Sequence, residues 1–280
     1  MTPFEMHGAP LPEAGRNARV YGGHILIFRD VAPLRKLAHK LKAVAVDHLG
    51  EDPASAHTRL TEGALDTAAT GMRNAVGRDR ALHTDLTEVM AAVGVDLDAT
   101  FQDPLKLRVQ PPEAGQDSAL LAPLAAHRDT WGSNVMAQTN WWAPIEPITH
   151  ARTIALFPQM FRQPVPNDSA DWDLMAFLEA RETGAPYPML PVATEPPAWD
   201  AAVPIVIEPG DLLCFSGAHL HASVPNTTDR TRLSLEWRSV NGPDAQNRHG
   251  APNVDGAAPW VTEHWFKHSR DGRRLGEKRR

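Results

Sequence analysis

A chain of 280 residues, 42% of them hydrophobic, can bury a sizeable core, and no apolar run in it approaches the roughly 18 residues needed to span a bilayer. The net charge of -6 is uneven: residues 267–280 carry seven basic and two acidic side chains, net +5, which leaves -11 for residues 1–266. Basic residues are not interleaved with aromatic ones and no basic stripe crosses the body, so nucleic acid is excluded as a partner and the basic end reads as a flexible tail from residue 266 onward.

The first half is helical in texture. A short strand at 24–28 precedes Ala/Leu-rich stretches of helical period at Ala32 to Leu49, Ala54 to Val76 and Arg80 to Val93, with the break Glu51-Asp52-Pro53 between the first two. Beyond residue 104 short extended runs are separated by Pro, Gly and Asn. They predict strands at 106–110, 124–127, 136–144, 153–157, 203–207, 211–215, 219–223 and 232–240, with one helix over 170–182. Glu208-Pro209-Gly210-Asp211 has the residues of a type II turn. No repeat of 20 to 50 residues is present. Helices followed by about eight strands predict a mainly β fold with flanking helices around a jelly-roll core. We expect a single domain over 1–265, its helical part about 30–95 and its jelly roll about 104–240.

Cys214 is the only cysteine, so no intramolecular disulfide and no C-x-x-C motif is available. The first residues lack the basic and apolar regions of a secretory leader, and a cytoplasmic protein not tied to a membrane is expected.

Chemistry concentrates at His127-Arg128-Asp129. Roughly one His-x-Asp pair is expected by chance in such a chain, so its weight comes from its surroundings. On a strand, residues two apart share a face, and His127 and Asp129 then reach one ion. Two imidazoles and a carboxylate on one side of a metal make the facial triad of non-haem iron(II) oxygenases, which leaves positions open for a co-substrate and oxygen. The second imidazole comes from His219 or His221. We choose His221 because it sits at a strand end entering the turn at Pro225-Asn226, and because Arg232 follows eleven residues later. Arg232 and Ser234 also share a face, so a guanidinium fork and a hydroxyl point together at one carboxylate. That suits the distal carboxylate of 2-oxoglutarate. His221 and Arg232 are expected on neighbouring strands facing one interior.

Residues 104–240 resemble the phytanoyl-CoA dioxygenase family of iron(II)/2-oxoglutarate oxygenases. The resemblance is carried by His127-Arg128-Asp129-Thr130-Trp131, by the strand from Gln138 to Ile145, and by Gly210-Asp211-Leu212-Leu213-Cys214-Phe215 leading to His221 and Arg232. It implies a double-stranded β-helix of cupin type, with iron(II) on His127, Asp129 and His221, 2-oxoglutarate anchored by Arg232, and O2 as the oxidant. It also places Gln138, Asn140 and Trp142 on the face toward 2-oxoglutarate and turns Trp141 outward. Trp131 is expected to wall the substrate site, and Arg108 either binds an anionic group of a small-molecule substrate or forms a surface ion pair. Family members often carry Pro-Gly-Ser-His where this chain has Phe157-Pro158-Gln159-Met160, so the substrate is not inferred through that segment. Asp129 favours hydroxylation over halide transfer, because halide-transferring relatives have a small residue there; desaturation, epoxidation and ring formation use the same triad and stay open. A cupin-like metalloenzyme without 2-oxoglutarate keeps the triad but leaves Arg232 idle, and a non-catalytic binding protein has no need of the triad.

Overall fold

The computed structural model describes residues 3–112 and 121–277. β1 (Phe4–His7) pairs in parallel with β2 (Ile25–Phe28), and α1 (Glu13–Gly22) connects them. α2 (Ala32–Leu49) coincides with the expected helix. The stretch read as one helix from 54 to 76 is two pieces, a 3-10 turn over Pro53–Thr58 and then α3 (Glu62–Arg78). Thr61 separates them: its hydroxyl accepts the Ala64 N–H and starts a new helix. α4 (Arg80–Ala92) begins at Asp79, whose carboxylate accepts from the Ala81 and Leu82 N–H groups.

β3 (Thr100–Gln102) and β4 (Lys106–Gln110) follow, then α5 (Asp129–Ser133), β5 (Gln138–Pro144), β6 (Ile154–Leu156) and α6 (Leu174–Thr183). The chain ends with β7 (Val203–Pro204), β8 (Leu212–Ser216), β9 (His221–Ser223), β10 (Arg232–Asn241), α7 (Gly242–Gln246) and β11 (Lys267–His268). Before β8, Gly210 adopts φ 104° and the Asp211 N–H donates to the Glu208 carbonyl at 2.9 Å, which is the expected turn.

The strands form two sheets. The larger has the order β1-β2-β8-β5-β10-β3-β11, with β4 also on β10; the smaller has the order β7-β6-β9. Alternation along the strands sorts side chains between the two faces of the large sheet. Leu26, Phe28, Leu107, Val109, Trp141, Cys214, Leu233, Leu235 and Trp237 cluster with Leu34, Leu41, Met72, Val76 and Leu86 of the helices. The other face sends Ile25, Ile27, Trp142, Leu213 and Phe215 to meet Ile154, Leu156, Ile205 and Ile207 from the small sheet and its flank. Helices, large sheet and small sheet thus stack as three layers, and the jelly-roll interior lies between the sheets. Trp141 does point outward into the helical layer, where it stacks on its register partner Trp237 at 5.7 Å between centroids.

Three expectations change. Leu124 to His127 is not a regular strand: His127 makes an isolated bridge to His221, which extends the small sheet by one residue pair. His221 and Arg232 are not on neighbouring strands, because β9 belongs to the small sheet and β10 to the large one; they face each other across the interior. The turn at Pro225-Asn226 carries the chain from one sheet to the other, which strand propensity does not encode. The basic end is packed over its described part: β11 pairs with β3, the Leu275 N–H donates to the Phe266 carbonyl, and Leu275 is buried. Residues 278–280 lie outside the described residues.

Candidate metal centre

His127 enters the interior through its bridge to β9, with N–H···O bonds to His221 of 2.9 and 3.0 Å in both directions. Its Nδ1 lies 2.7 Å from the Ala125 carbonyl, and His221 Nδ1 lies 3.0 Å from the His219 carbonyl. Each ring spends its Nδ1–H on a backbone carbonyl, which leaves Nε2 as a lone-pair donor. The rings stand 4.2 Å apart between centroids, and His127 Nε2 is buried with no hydrogen-bond partner. Burial, and next the His127 ring, pull the His221 pKa down to about 3, so the ring is neutral.

Asp129 completes the cluster by a route the sequence reading did not have. Arg128 is extended, but Asp129 is the first residue of α5, so the pair is not two positions of one strand. Asp129 Oδ1 is 3.5 Å from His127 Nε2, and the three donor atoms of His127, Asp129 and His221 all lie within 4.8 Å of one another. Two nitrogens and one carboxylate oxygen at this spacing fit one divalent ion on a single face.

The other carboxylate oxygen of Asp129 is saturated. Asn140 Nδ2 donates to it at 2.7 Å, Arg238 Nε at 2.7 Å and Gln138 Nε2 at 3.2 Å. Burial would raise the Asp129 pKa, but Arg238 together with His127 and His221 outweighs it and holds the carboxyl well below the usual range. Gln138 and Asn140 therefore brace the Asp129 carboxylate, whereas the expected orientation was toward 2-oxoglutarate. Of the trio on that face, Asn140 and Trp142 also line the central cavity.

Arg232 is 1% exposed at the far side of the same cavity. Its Nη1 donates to the Thr153 carbonyl at 2.5 Å and its Nη2 reaches Ser223 Oγ at 3.5 Å, so the guanidinium leans on the small sheet. Its Nε has no partner, and neither has Ser234 Oγ on the same face or Trp142 Nε1. Burial first, and then the nearby Arg108, lower the Arg232 pKa to about 9. Arg108 is itself buried and lines the cavity, so it is not a surface ion pair.

One assignment moves away from the cavity, and the histidine that was not chosen stays out of the donor cluster. Trp131 is fully buried and does not line this cavity; its Nε1 donates to Asp255 at 2.7 Å and its ring packs with Ala126, Phe157, Val165, Leu220 and Ala222. His219 is fully buried, with Nε2 3.2 Å from the Gly23 carbonyl and Nδ1 3.3 Å from the Ser216 carbonyl, and it takes no part in the donor cluster. Sequence reasoning missed Arg238 and Glu236. The signal was present, since Arg232, Ser234, Glu236 and Arg238 fill every second position of β10 between Leu233, Leu235 and Trp237.

Comparison with known proteins now bears on this arrangement. The family model described as Phytanoyl-CoA dioxygenase (PhyH) matches residues 167–234, a stretch that contains His221, Arg232 and Ser234. Over that stretch, 68 of its 280 residues, the chain is similar to the phytanoyl-CoA dioxygenase family. No curated protein matches its sequence. Among solved structures, EvdO2 from Micromonospora carbonacea var. aurantiaca, complexed with 2-oxoglutarate, aligns at a TM-score of 0.53 and 16% identity, over 83% of this chain and 92% of that one. EctD from S. alaskensis, in its apoform, aligns at 0.45 and 16% identity over 88% and 82% of the two chains. The epimerase SnoN, in complex with Fe3+, alpha ketoglutarate and nogalamycin RO, aligns at 0.46 and 14% identity over 92% and 100%. The alignment with EvdO2 agrees with the expected jelly-roll fold. Among its described residues no helix is long and apolar enough to cross a membrane.

Proposed function

We propose that this protein is a non-haem iron(II)- and 2-oxoglutarate-dependent oxygenase that hydroxylates an unactivated C–H bond of a small molecule, with residues 1–265 as one oxygenase domain. The observation that carries the reading is the pairing, across one interior, of the His127/Asp129/His221 donor cluster with the buried Arg232. No described carboxylate forms an ion pair with Arg232, and its Nε is unmet. A buried guanidinium left in that condition costs several kcal/mol, of the order that a bound carboxylate returns.

In this reading His127 Nε2, His221 Nε2 and Asp129 Oδ1 hold the iron. Arg232, with Ser234 Oγ beside it, takes the distal carboxylate of 2-oxoglutarate, and Trp142 Nε1 offers a further donor in the same interior. When bound, iron(II), 2-oxoglutarate and O2 supply the oxidant, and succinate and CO2 leave. The protein's own work is positional. Ala125 and His219 fix the two rings, while Arg238, Asn140 and Gln138 hold Asp129 Oδ2 and leave Oδ1, with only a long 3.4 Å contact from Arg238 Nη2, toward the metal. Trp142, Ile154 and Phe215 give the cavity apolar walls. A retained Asp129 leaves no coordination position for a halide, which favours hydroxylation.

An anaerobic titration with iron(II) and 2-oxoglutarate tests this. The expected result is a visible charge-transfer band that appears only with both, and succinate formation once oxygen is admitted. Metal binding without any 2-oxoglutarate-dependent band or succinate would overturn it in favour of a cupin-like metalloenzyme.

A further inference from the structure

The interior holds a second buried guanidinium that neither the proposed iron site nor Arg232 requires. Arg108 is 8% exposed, projects from β4 into the cavity of the donor cluster, and forms no ion pair with a described carboxylate. One Nη2 bond to the Ala122 carbonyl at 2.8 Å anchors it, and its Nε is buried with no acceptor. Glu236 offsets part of this charge through space, but the guanidinium is still desolvated with a donor unmet, which is costly without a directly bonded anion.

The two arginines are tied in different directions. Arg232 leans on Thr153 and Ser223 of the small sheet, whereas Arg108 is held by Ala122 in the segment that leads to His127. Glu236 lies on the same wall: its register partner on β4 is Lys106, while Arg108 pairs with Ser234. The Glu236 carboxylate takes no hydrogen bond from a described side chain. Its negative charge beside Arg108 suits a monoanion better than a dianion such as a phosphate. Arg108 and Glu236 also border a narrow cleft along β4 with Arg73 and Lys106, and those two residues in turn line an outer groove of about 700 Å³. Arg108 therefore stands between the donor cluster and this outer groove, on whose wall Lys106 is paired with Asp103.

We infer, resting on the oxygenase reading, that Arg108 is a second anion seat which takes the carboxylate of the substrate, so that the substrate is a small monocarboxylic acid. Held there, its carbon chain projects toward His127, Asp129 and His221, and the carboxylate sets which C–H bond is presented.

Calorimetric titration of the protein loaded with Mn(II) and 2-oxoglutarate, which does not turn over, tests the seat. The probes are acetate, hexanoate, phenylacetate and benzoate, each against its amide. At least one carboxylate is expected to bind at least about tenfold more tightly than its amide, as a charge-assisted pair allows. Arg108→Gln should abolish that difference and Arg108→Lys retain part of it, while both leave the 2-oxoglutarate Kd within about threefold, below the effect of a lost charged contact. Melting curves and far-UV circular dichroism establish that each variant is folded, and Arg108→Lys keeps the test decisive if Arg108→Gln is not. Equal binding of acids and amides, or a 2-oxoglutarate Kd weakened as much as carboxylate binding, overturns the inference. If wild type fails to bind 2-oxoglutarate, the oxygenase reading fails instead. The same carboxylate titration with Mn(II) alone then still decides for or against Arg108.

Discussion

Arg238 grips Asp129 with two nitrogens, Nε at 2.7 Å from Oδ2 and Nη2 at 3.4 Å from Oδ1, and its Nη1 reaches Asp103 at 3.1 Å. Its guanidinium sits where two buried carboxylates would otherwise repel each other, and in doing so it holds a metal-facing carboxylate in one orientation. Burial would lower the Arg238 pKa, but Asp129 and Asp103 raise it well above its ordinary value, so the guanidinium stays charged.

Arg238→Gln should therefore destabilise the metal-free protein by about 3–5 kcal/mol, the range for breaking a buried pair. Saturating Mn(II) should recover more stability in the variant than in wild type, because the ion replaces the lost positive charge beside Asp129. Urea denaturation with and without Mn(II) measures both effects, and an equal gain in the two proteins would remove Arg238 from the metal's neighbourhood.

The two candidate histidines separate cleanly. His221→Ala removes a free Nε2 and should weaken Mn(II) binding by at least about a hundredfold, as loss of a metal ligand does. His219→Gln keeps the donor cluster and should bind Mn(II) within about tenfold of wild type, as an outer partner that supports a ligand through its backbone carbonyl. Titration followed by Mn(II) electron paramagnetic resonance distinguishes the two; the reverse order would identify His219 as the ligand.

Arg232→Gln should raise the 2-oxoglutarate Kd by about 30- to 300-fold, the loss of roughly 2–3.5 kcal/mol from one charged pair, and leave Mn(II) affinity in the absence of 2-oxoglutarate unchanged. Calorimetry on the Mn(II) protein measures both. An unchanged Kd would detach Arg232 from the co-substrate.

Burial lowers the His219 pKa to about 4 from 6.5, so the unfolded chain binds the proton more tightly than the native one. Stability at this site is then intact above about pH 6.5 and falls as pH drops toward 4, by up to about 3 kcal/mol. In His219→Gln the dependence of unfolding free energy on pH between 6.5 and 4 should flatten by a comparable amount. An unaltered slope would show that His219 is not buried neutral.

Trp141 and Trp237 stack at an interplanar angle of 6° between the large sheet and the helical layer. Trp141→Ala should cost about 3–5 kcal/mol of stability, as removal of a large buried aromatic does, with little change in Mn(II) affinity. A comparable loss of metal binding would mean that the outward face of β5 reports directly to the centre.

Local pattern and chemistry were legible along the chain. Helical period placed α2 and α4, alternation placed β4, β5 and β10, and Pro209-Gly210 placed the turn before β8. His127, Asp129, His221 and Arg232 were named from residue type and spacing, and the structure brings them to one interior. What spacing does not carry is which sheet a strand joins. His221 and Arg232 are eleven residues apart yet belong to opposite sheets, and Asp129 reaches the cluster from a helix start. The partners of buried charges also depend on packing between distant segments. Arg238 meets Asp129 from 109 positions away, and Trp131, adjacent in sequence to the donor cluster, turns its back on it toward Asp255. Side-chain periodicity is a property of the local backbone and is written in the sequence. Which carboxylate a buried guanidinium finds is settled only when the sheets close and desolvation makes an unpaired charge too costly to leave.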